Sequence, residues 1–123
     1  MTTTDLETSL SKMQSFLETP AGLEPQDLLD RIEHLTILVA KSGHLLAKAK
    51  FIQDDIVNTG LMKAIEDGLD KKLTPSLINK FVSTNAKNIN YLVNWADRIN
   101  ASATHQLDGI RTVISYKKAE LNL

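Results

Sequence analysis

The chain has no cysteine, only three prolines and few aromatic residues, which make up 5% of its 123 residues. Without cysteine it has no disulfide framework and no thiolate that could bind a metal or act as a nucleophile, as is usual in a reducing compartment. The shortage of aromatic residues disfavours a β-sandwich or barrel, whose strands use aromatic and β-branched residues more heavily. We therefore expect an all-α protein.

Long apolar runs are also missing from the sequence. The longest wholly apolar run covers residues 37–40, far short of the roughly 20 residues that span a membrane. The N-terminus lacks the basic start and apolar core of an export signal. These two features predict a cytoplasmic protein that has no membrane partner.

The charge is nearly balanced, with a formal net value of −1. Such a domain lacks the general attraction to phosphate backbones that dominates nucleic-acid affinity. A helix-turn-helix over 73–99 would place positive charge only late in its recognition helix, at Arg98. A DNA-binding regulator is therefore the third functional hypothesis, and we do not expect nucleic acid to be the main partner.

Helical periodicity and helix-end signals divide the chain into segments. Thr4 and Glu7 have the spacing of a capping box. Pro25 suits the first position of a helix, and Gly60 is of the residue type that commonly ends one. The predicted helices cover residues 5–18, 25–58, 61–69 and 75–121.

The segment 77–121 organises the predicted fold, because four adjacent heptad columns of its helix are apolar or small. Such a helix must be covered on two sides. We predict one all-α domain over 1–123, a compact helical bundle built on a long antiparallel hairpin of about 25–58 and 75–121. Two shorter helices would pack across this hairpin. Whether the long helix is continuous through 83–88 stays open, since asparagine and serine are poor helix formers.

Large apolar side chains also fall outside the predicted seams. Ile37 and Phe51 recur at heptad spacing on the back of the second helix, while Trp95 and Tyr116 flank the seam of the long helix. This apolar surface exceeds what two short helices can cover. We therefore expect a homo-oligomer, most simply a twofold dimer, with these four residues at its interfaces.

No pattern for catalysis or metal binding stands out. Ser102, His105 and Asp108 are neighbours along one helical face, but nothing nearby resembles the nucleophile elbow or oxyanion hole of acyl transfer. The chain lacks a glycine-rich phosphate loop and the ligand spacings of zinc or calcium sites. We expect no catalytic residues, no metal and no cofactor.

The leading hypothesis is a non-enzymatic binding or scaffold protein whose helix surfaces contact a protein partner. The alternative is a protein that sequesters a small anionic or nucleotide-like ligand at a subunit seam, through Tyr91, Arg98 and His105, which recur every seven residues. A similar row, also a candidate for phosphate binding, comprises His34, Lys41 and Lys48. Arg98→Ala would abolish ligand binding but not scaffold function.

The segment 110–118, Ile-Arg-Thr-Val-Ile-Ser-Tyr-Lys-Lys, resembles small helical proteins of phages and mobile elements. The resemblance implies a phage-like or mobile-element origin. It is too short to transfer the role of any residue.

Overall fold

The computed structural model describes residues 1–71 and 74–121, and nearly all of these are helical. Four helices follow in chain order. They are α1 (Thr3–Glu18), α2 (Pro25–Lys71), α3 (Pro75–Asn85) and α4 (Lys87–Leu121). The predicted all-α bundle, built on a long hairpin with shorter helices packed across it, is confirmed. Within these described ranges, no helix combines the length and the apolar character that crossing a membrane requires.

Polar side-chain contacts at three levels join α2 to α4. The hydrogen-bonded pairs are Arg31 with Gln106, Ser42 with Asn100, and Gln53 with Asn90. The partner number falls along α4 as the number rises along α2, so the two helices are antiparallel. Because a slipped register would leave buried polar groups without partners, these pairs also select one alignment.

The core lies where α1, α2 and α4 meet. Apolar side chains in the first part of the predicted α4 seam are buried, whereas Val113 in its last part is exposed. Leu6 and Leu10 of α1 pack into the same cluster as Leu35 of α2. The buried residues of the seam are Ile89, Leu92, Val93, Ala96, Ile99, Ala103 and Leu107. The small alanines in this list permit close approach of the neighbouring helices.

The second helix does not end near residue 58, and the predicted boundary there is wrong. α2 continues without interruption to Lys71, so the separate helix over 61–69 is part of α2. The reason is tertiary packing, because α3 lies along this end of α2 and a Cβ at Gly60 would sit 4.0 Å from Val82 Cγ2. Packing of this kind outweighs the weak helix propensity of one glycine.

Gly60→Ala should therefore raise the free energy of unfolding by about 0.5 to 1 kcal/mol, since alanine favours a helix interior and its Cβ meets only an ordinary contact. Urea denaturation at fixed protein concentration measures the change. Gly109→Ala is the matched control, because a Cβ there would meet nothing within 4 Å. If Gly109→Ala stabilised the protein and Gly60→Ala destabilised it, α2 would not be a regular helix at Gly60.

The predicted long helix over 75–121 is two helices, because the chain turns at Ala86 between α3 and α4. Ala86 is buried, its N–H donates to the Val82 carbonyl, and its own carbonyl accepts from Asn90. The residues just before it, Ser83, Thr84 and Asn85, are weak helix formers, which favours an interruption at this point.

The N-terminus of α1 carries a capping box two residues earlier than predicted. Thr2 Oγ1 accepts from the Asp5 backbone N–H, and Asp5 Oδ2 accepts from the Thr2 backbone N–H, each at 3.1 Å. The hydrogen bond from the Thr2 backbone, and then that from its side chain, lower the pKa of the Asp5 carboxyl. The assignment to Thr4 and Glu7 is wrong because the earlier cap adds the helical hydrogen bond from Leu6 to Thr2.

Candidate protein-binding surface

A groove of about 640 Å³ lies between α1 and the first half of α2, and we call it the α1/α2 groove. Its apolar lining comes from both helices and includes Met13, Phe16, Ile37, Leu38 and Leu45. Its cationic or basic lining consists of Lys12, His34, Lys41 and His44. None of the lining residues carries a carboxylate. The groove is therefore suited to an apolar group that carries negative charge at its edge.

One end of the groove is built around Phe16. The Arg31 guanidinium lies 4.1 Å from the centroid of the Phe16 ring, and the His34 ring lies 5.8 Å away, centroid to centroid. His34 Nδ1–H donates to the Asp30 carbonyl at 2.9 Å, which orients the imidazole. Stacking of a cation on an aromatic face holds the Phe16 ring in position.

Arg31 is buried, with only 8% of its surface exposed. Its Nη2 donates to the Phe16 carbonyl at 3.1 Å and to Gln106 Oε1 at 2.9 Å. Burial lowers the pKa of this guanidinium below its ordinary value. The charge lies at the C-terminus of α1, where the helix dipole favours a cation.

Two further hydrogen bonds attach α1 to α4. Gln106 Nε2 donates to the Leu17 carbonyl at 2.9 Å, and Trp95 Nε1 donates to Gln14 Oε1 at 3.1 Å. Arg31 and Gln106 thus bind the Phe16 and Leu17 carbonyls in the last turn of α1, where the N–H groups four residues on are missing from the helix. The wall of the groove that α1 forms is therefore tied to both long helices.

A row of exposed side chains runs along the outer face of α2, with alternating spacings of four and three residues. We call it the outer row. Its members are Ile37, Lys41, His44, Lys48, Phe51, Asp55, Asn58, Met62 and Ile65. Among its apolar members, Phe51 is 76% exposed and Met62 is 60% exposed. Because α2 is one continuous helix, the members lie on one side of a rod and keep a constant spacing.

The charges of the outer row change sign at Phe51. Lys41 and Lys48 precede it, whereas Asp55 follows it. Exposed Asp54 and Glu66 lie beside the second part of the row, together with exposed Lys63. The row is thus basic before its aromatic residue and acidic directly after it.

The structure places the predicted ligand residues Tyr91, Arg98 and His105 on one exposed face of α4. The Tyr91 ring packs against Trp95, with ring centroids 5.8 Å apart. Residues seven apart on a helix are separated by about 10.5 Å along its axis. The three side chains therefore do not form a compact site within one chain, and the α1/α2 groove does not include them.

The four predicted interface residues fall into two groups. Ile37 and Phe51 are exposed members of the outer row, and Ile37 also lines the α1/α2 groove. Tyr116 is 71% exposed but lies on α4, away from the row. Trp95 is partly buried and contacts Gln14 within the same chain. Only Ile37 and Phe51 therefore belong to the same surface.

The serine, histidine and aspartate that share a face of α4 are exposed. The nearest charged partner of Asp108 is Arg111, with 3.6 Å between Oδ1 and Nη1. Across residues 1–71 and 74–121, no three side chains of the histidine, aspartate and glutamate types form a cluster that could hold a metal ion.

Sequence reasoning found the basic residues of α2 but missed the contribution of α1 to the groove. Lys12, Met13 and Phe16 line it only because α1 packs beside the first half of α2. The distal members of the outer row were missed for another reason. Because the predicted second helix ended before Gly60, Met62 and Ile65 were assigned to a separate helix. They were therefore not recognised as continuing the spacing of the row.

No family model, curated protein or solved structure matches this chain.

Proposed function

We propose that this protein is a non-enzymatic binding or scaffold protein that acts as a homo-oligomer through protein–protein contacts. The observation that carries the proposal is the outer row of α2. Its apolar side chains stay exposed although the same chain buries a well-packed core. Large apolar side chains exposed at regular spacing on one face of a helix are typical of a helix that packs against a partner.

The composition of the outer row supports a protein partner. Phe51 lies between Lys48 and Asp55, so an aromatic centre is flanked by charges of opposite sign. Protein interfaces have a similar arrangement, in which aromatic and apolar anchors are surrounded by a polar rim. Phe51 is the natural anchor, because it is the aromatic member of the row and most of its surface is exposed.

Replacing Phe51 with glutamate tests the proposal. We expect the unmodified protein to sediment as an oligomer at micromolar concentration. Phe51→Glu should weaken assembly by about 2 kcal/mol, or about thirtyfold in the dissociation constant, because a charge replaces an interface anchor. Sedimentation equilibrium over a concentration series measures both constants.

Tyr116→Glu is the matched control, since it also replaces a well-exposed aromatic side chain with a charge, but on α4. It should leave assembly unchanged. Circular dichroism should show the same helix content in all three proteins, because neither Phe51 nor Tyr116 belongs to the buried core cluster. An unmodified protein that stays monomeric throughout the concentration series would contradict the proposal.

A further inference from the structure

We infer that the outer row binds a second copy of this chain, with the two α2 helices antiparallel and related by a twofold axis at Phe51. The inference rests on the proposed function and adds the partner, the orientation and the register. The order of side chains along the row supports this pairing. In an antiparallel pair centred on one residue, positions equally far before and after that residue meet.

This register brings complementary side chains together at the centre and at the ends of the row, whereas Lys41 faces apolar side chains. Phe51 meets its own counterpart. The other facing pairs are Lys48 with Asp54 and Asp55, His44 with Asn58, Lys41 with Leu61 and Met62, and Ile37 with Ile65. Each pair occurs twice, because the axis repeats it.

Charge decides the orientation. Next to the axis, Lys48 of one copy faces Asp54 and Asp55 of the other. A parallel pair in register would instead place Lys48 against Lys48 and Asp55 against Asp55. Because like charges across an interface are destabilising and opposite charges are not, the row favours the antiparallel arrangement.

The same arrangement fills the α1/α2 groove. The part of α2 beyond Phe51 in the second copy would lie along the first half of α2, beside α1. Its Met62 and Ile65 then face the apolar lining at Ile37. Its Glu66 approaches Lys12, in a groove whose lining has no carboxylate. A helix lying in an apolar groove is a common mode of protein recognition, and the twofold axis fills both grooves equally.

The proposed contact runs the length of the outer row. From residue 37 to residue 65 the row extends about 42 Å at about 1.5 Å per residue. Phe51, its aromatic member, lies at the midpoint, where binding energy is usually concentrated. The ends are apolar, so the contact does not finish in unpaired charge.

Single cysteine substitutions test this geometry by disulfide crosslinking, because the natural chain has no cysteine. Phe51→Cys should form a disulfide-linked dimer under mild oxidation, since the two sulfurs lie at the axis within reach of each other. Tyr116→Cys, an equally exposed position on α4, is the control and should stay uncrosslinked. Non-reducing gel electrophoresis measures both yields.

A second pair of variants distinguishes antiparallel from parallel packing. Ile37→Cys alone should not crosslink, because the two copies of residue 37 lie about 42 Å apart along the helix axis. An equal mixture of Ile37→Cys and Ile65→Cys should form the mixed disulfide. Efficient self-crosslinking of Ile37→Cys would overturn the antiparallel orientation.

Charge reversal tests the register without a covalent bond. Lys48→Glu should weaken the dimer about tenfold, and adding Asp54→Lys and Asp55→Lys to the same chain should restore it. Restoration is the informative result, since a general loss of stability would not be reversed. Failure of restoration together with failure of the Phe51→Cys crosslink would overturn the twofold pairing.

The outcomes separate this inference from the proposed function. If the unmodified protein is an oligomer but both the Phe51→Cys crosslink and the charge-reversal restoration fail, the inference fails and the proposed function stands. If the unmodified protein is monomeric, both fail, and the outer row does not bind a second copy.

Discussion

Replacing Leu92 with alanine should lower the free energy of unfolding by about 2 to 5 kcal/mol. Leu92 has no exposed surface and lies in the core that α1, α2 and α4 share. Truncation removes apolar contacts and leaves a cavity. Helices packed on both sides of α4 limit how far the structure can relax into that cavity, so the effect should be in the upper part of this range.

Urea denaturation followed by circular dichroism measures this loss at fixed protein concentration, because dimerisation also contributes to apparent stability. Tyr91→Ala is the control on the neighbouring position, where the side chain is 59% exposed. It should change the unfolding free energy by less than about 0.5 kcal/mol. Equal effects of the two substitutions would show that the α4 seam does not face the core.

Arg31→Ala should lower the free energy of unfolding by about 2 to 3 kcal/mol and loosen α1 from the bundle. The substitution removes the donor to the Phe16 carbonyl and to Gln106 Oε1, and it removes the cation from the Phe16 ring. The surroundings are buried, so water replaces these contacts poorly. Because α1 forms one wall of the α1/α2 groove, the groove should lose its shape as well.

Trp95 provides a specific readout of this change. It is the only tryptophan, and its Nε1 is bonded to Gln14 of α1. Release of α1 should therefore shift its fluorescence to longer wavelength at denaturant concentrations where α2 and α4 remain folded. Arg98→Ala removes an exposed arginine on α4 and should leave emission and stability unchanged. If Arg31→Ala behaved like Arg98→Ala, Arg31 would not hold α1 in place.

Loosening of α1 also has a consequence for assembly. The inferred dimer places the second copy's Met62 and Ile65 in the groove whose other wall is α1. Arg31→Ala should therefore weaken dimerisation, although Arg31 itself lies in the core and not in the outer row. This indirect effect distinguishes Arg31 from Phe51, whose substitution should weaken assembly without changing the stability of the single chain.

Local periodicity was enough to predict the elements that depend on one helical face. Leu92 and Ile99 of the predicted seam are buried, and Ile37 and Phe51 of the predicted back face are exposed. Both results follow from the 3.6-residue repeat, which is a property of neighbouring residues in the chain. The scarcity of proline and aromatic residues correctly indicated the all-α class.

Helix ends were predicted less well, because residues distant in sequence decide them. Gly60 looks like a terminator until Val82 packs against it, and the break at Ala86 was left open by a segment of weak helix formers. Thr2 and Thr4 are both suitable caps, and only the added helical bond to Leu6 selects Thr2. Propensity is a weak guide wherever such contacts compete with it.

The sequence by itself therefore determined the class of fold, the buried seam of α4 and the exposure of the apolar residues on the back of α2. Tertiary structure alone decided the length of α2, the burial of Arg31 and the position of α1 that creates the groove. The physical reason is the sequence separation of the residues that make the deciding contacts. A helical face depends on residues a few positions apart, whereas Arg31 is buried because Phe16 and Gln106 reach it from two other helices.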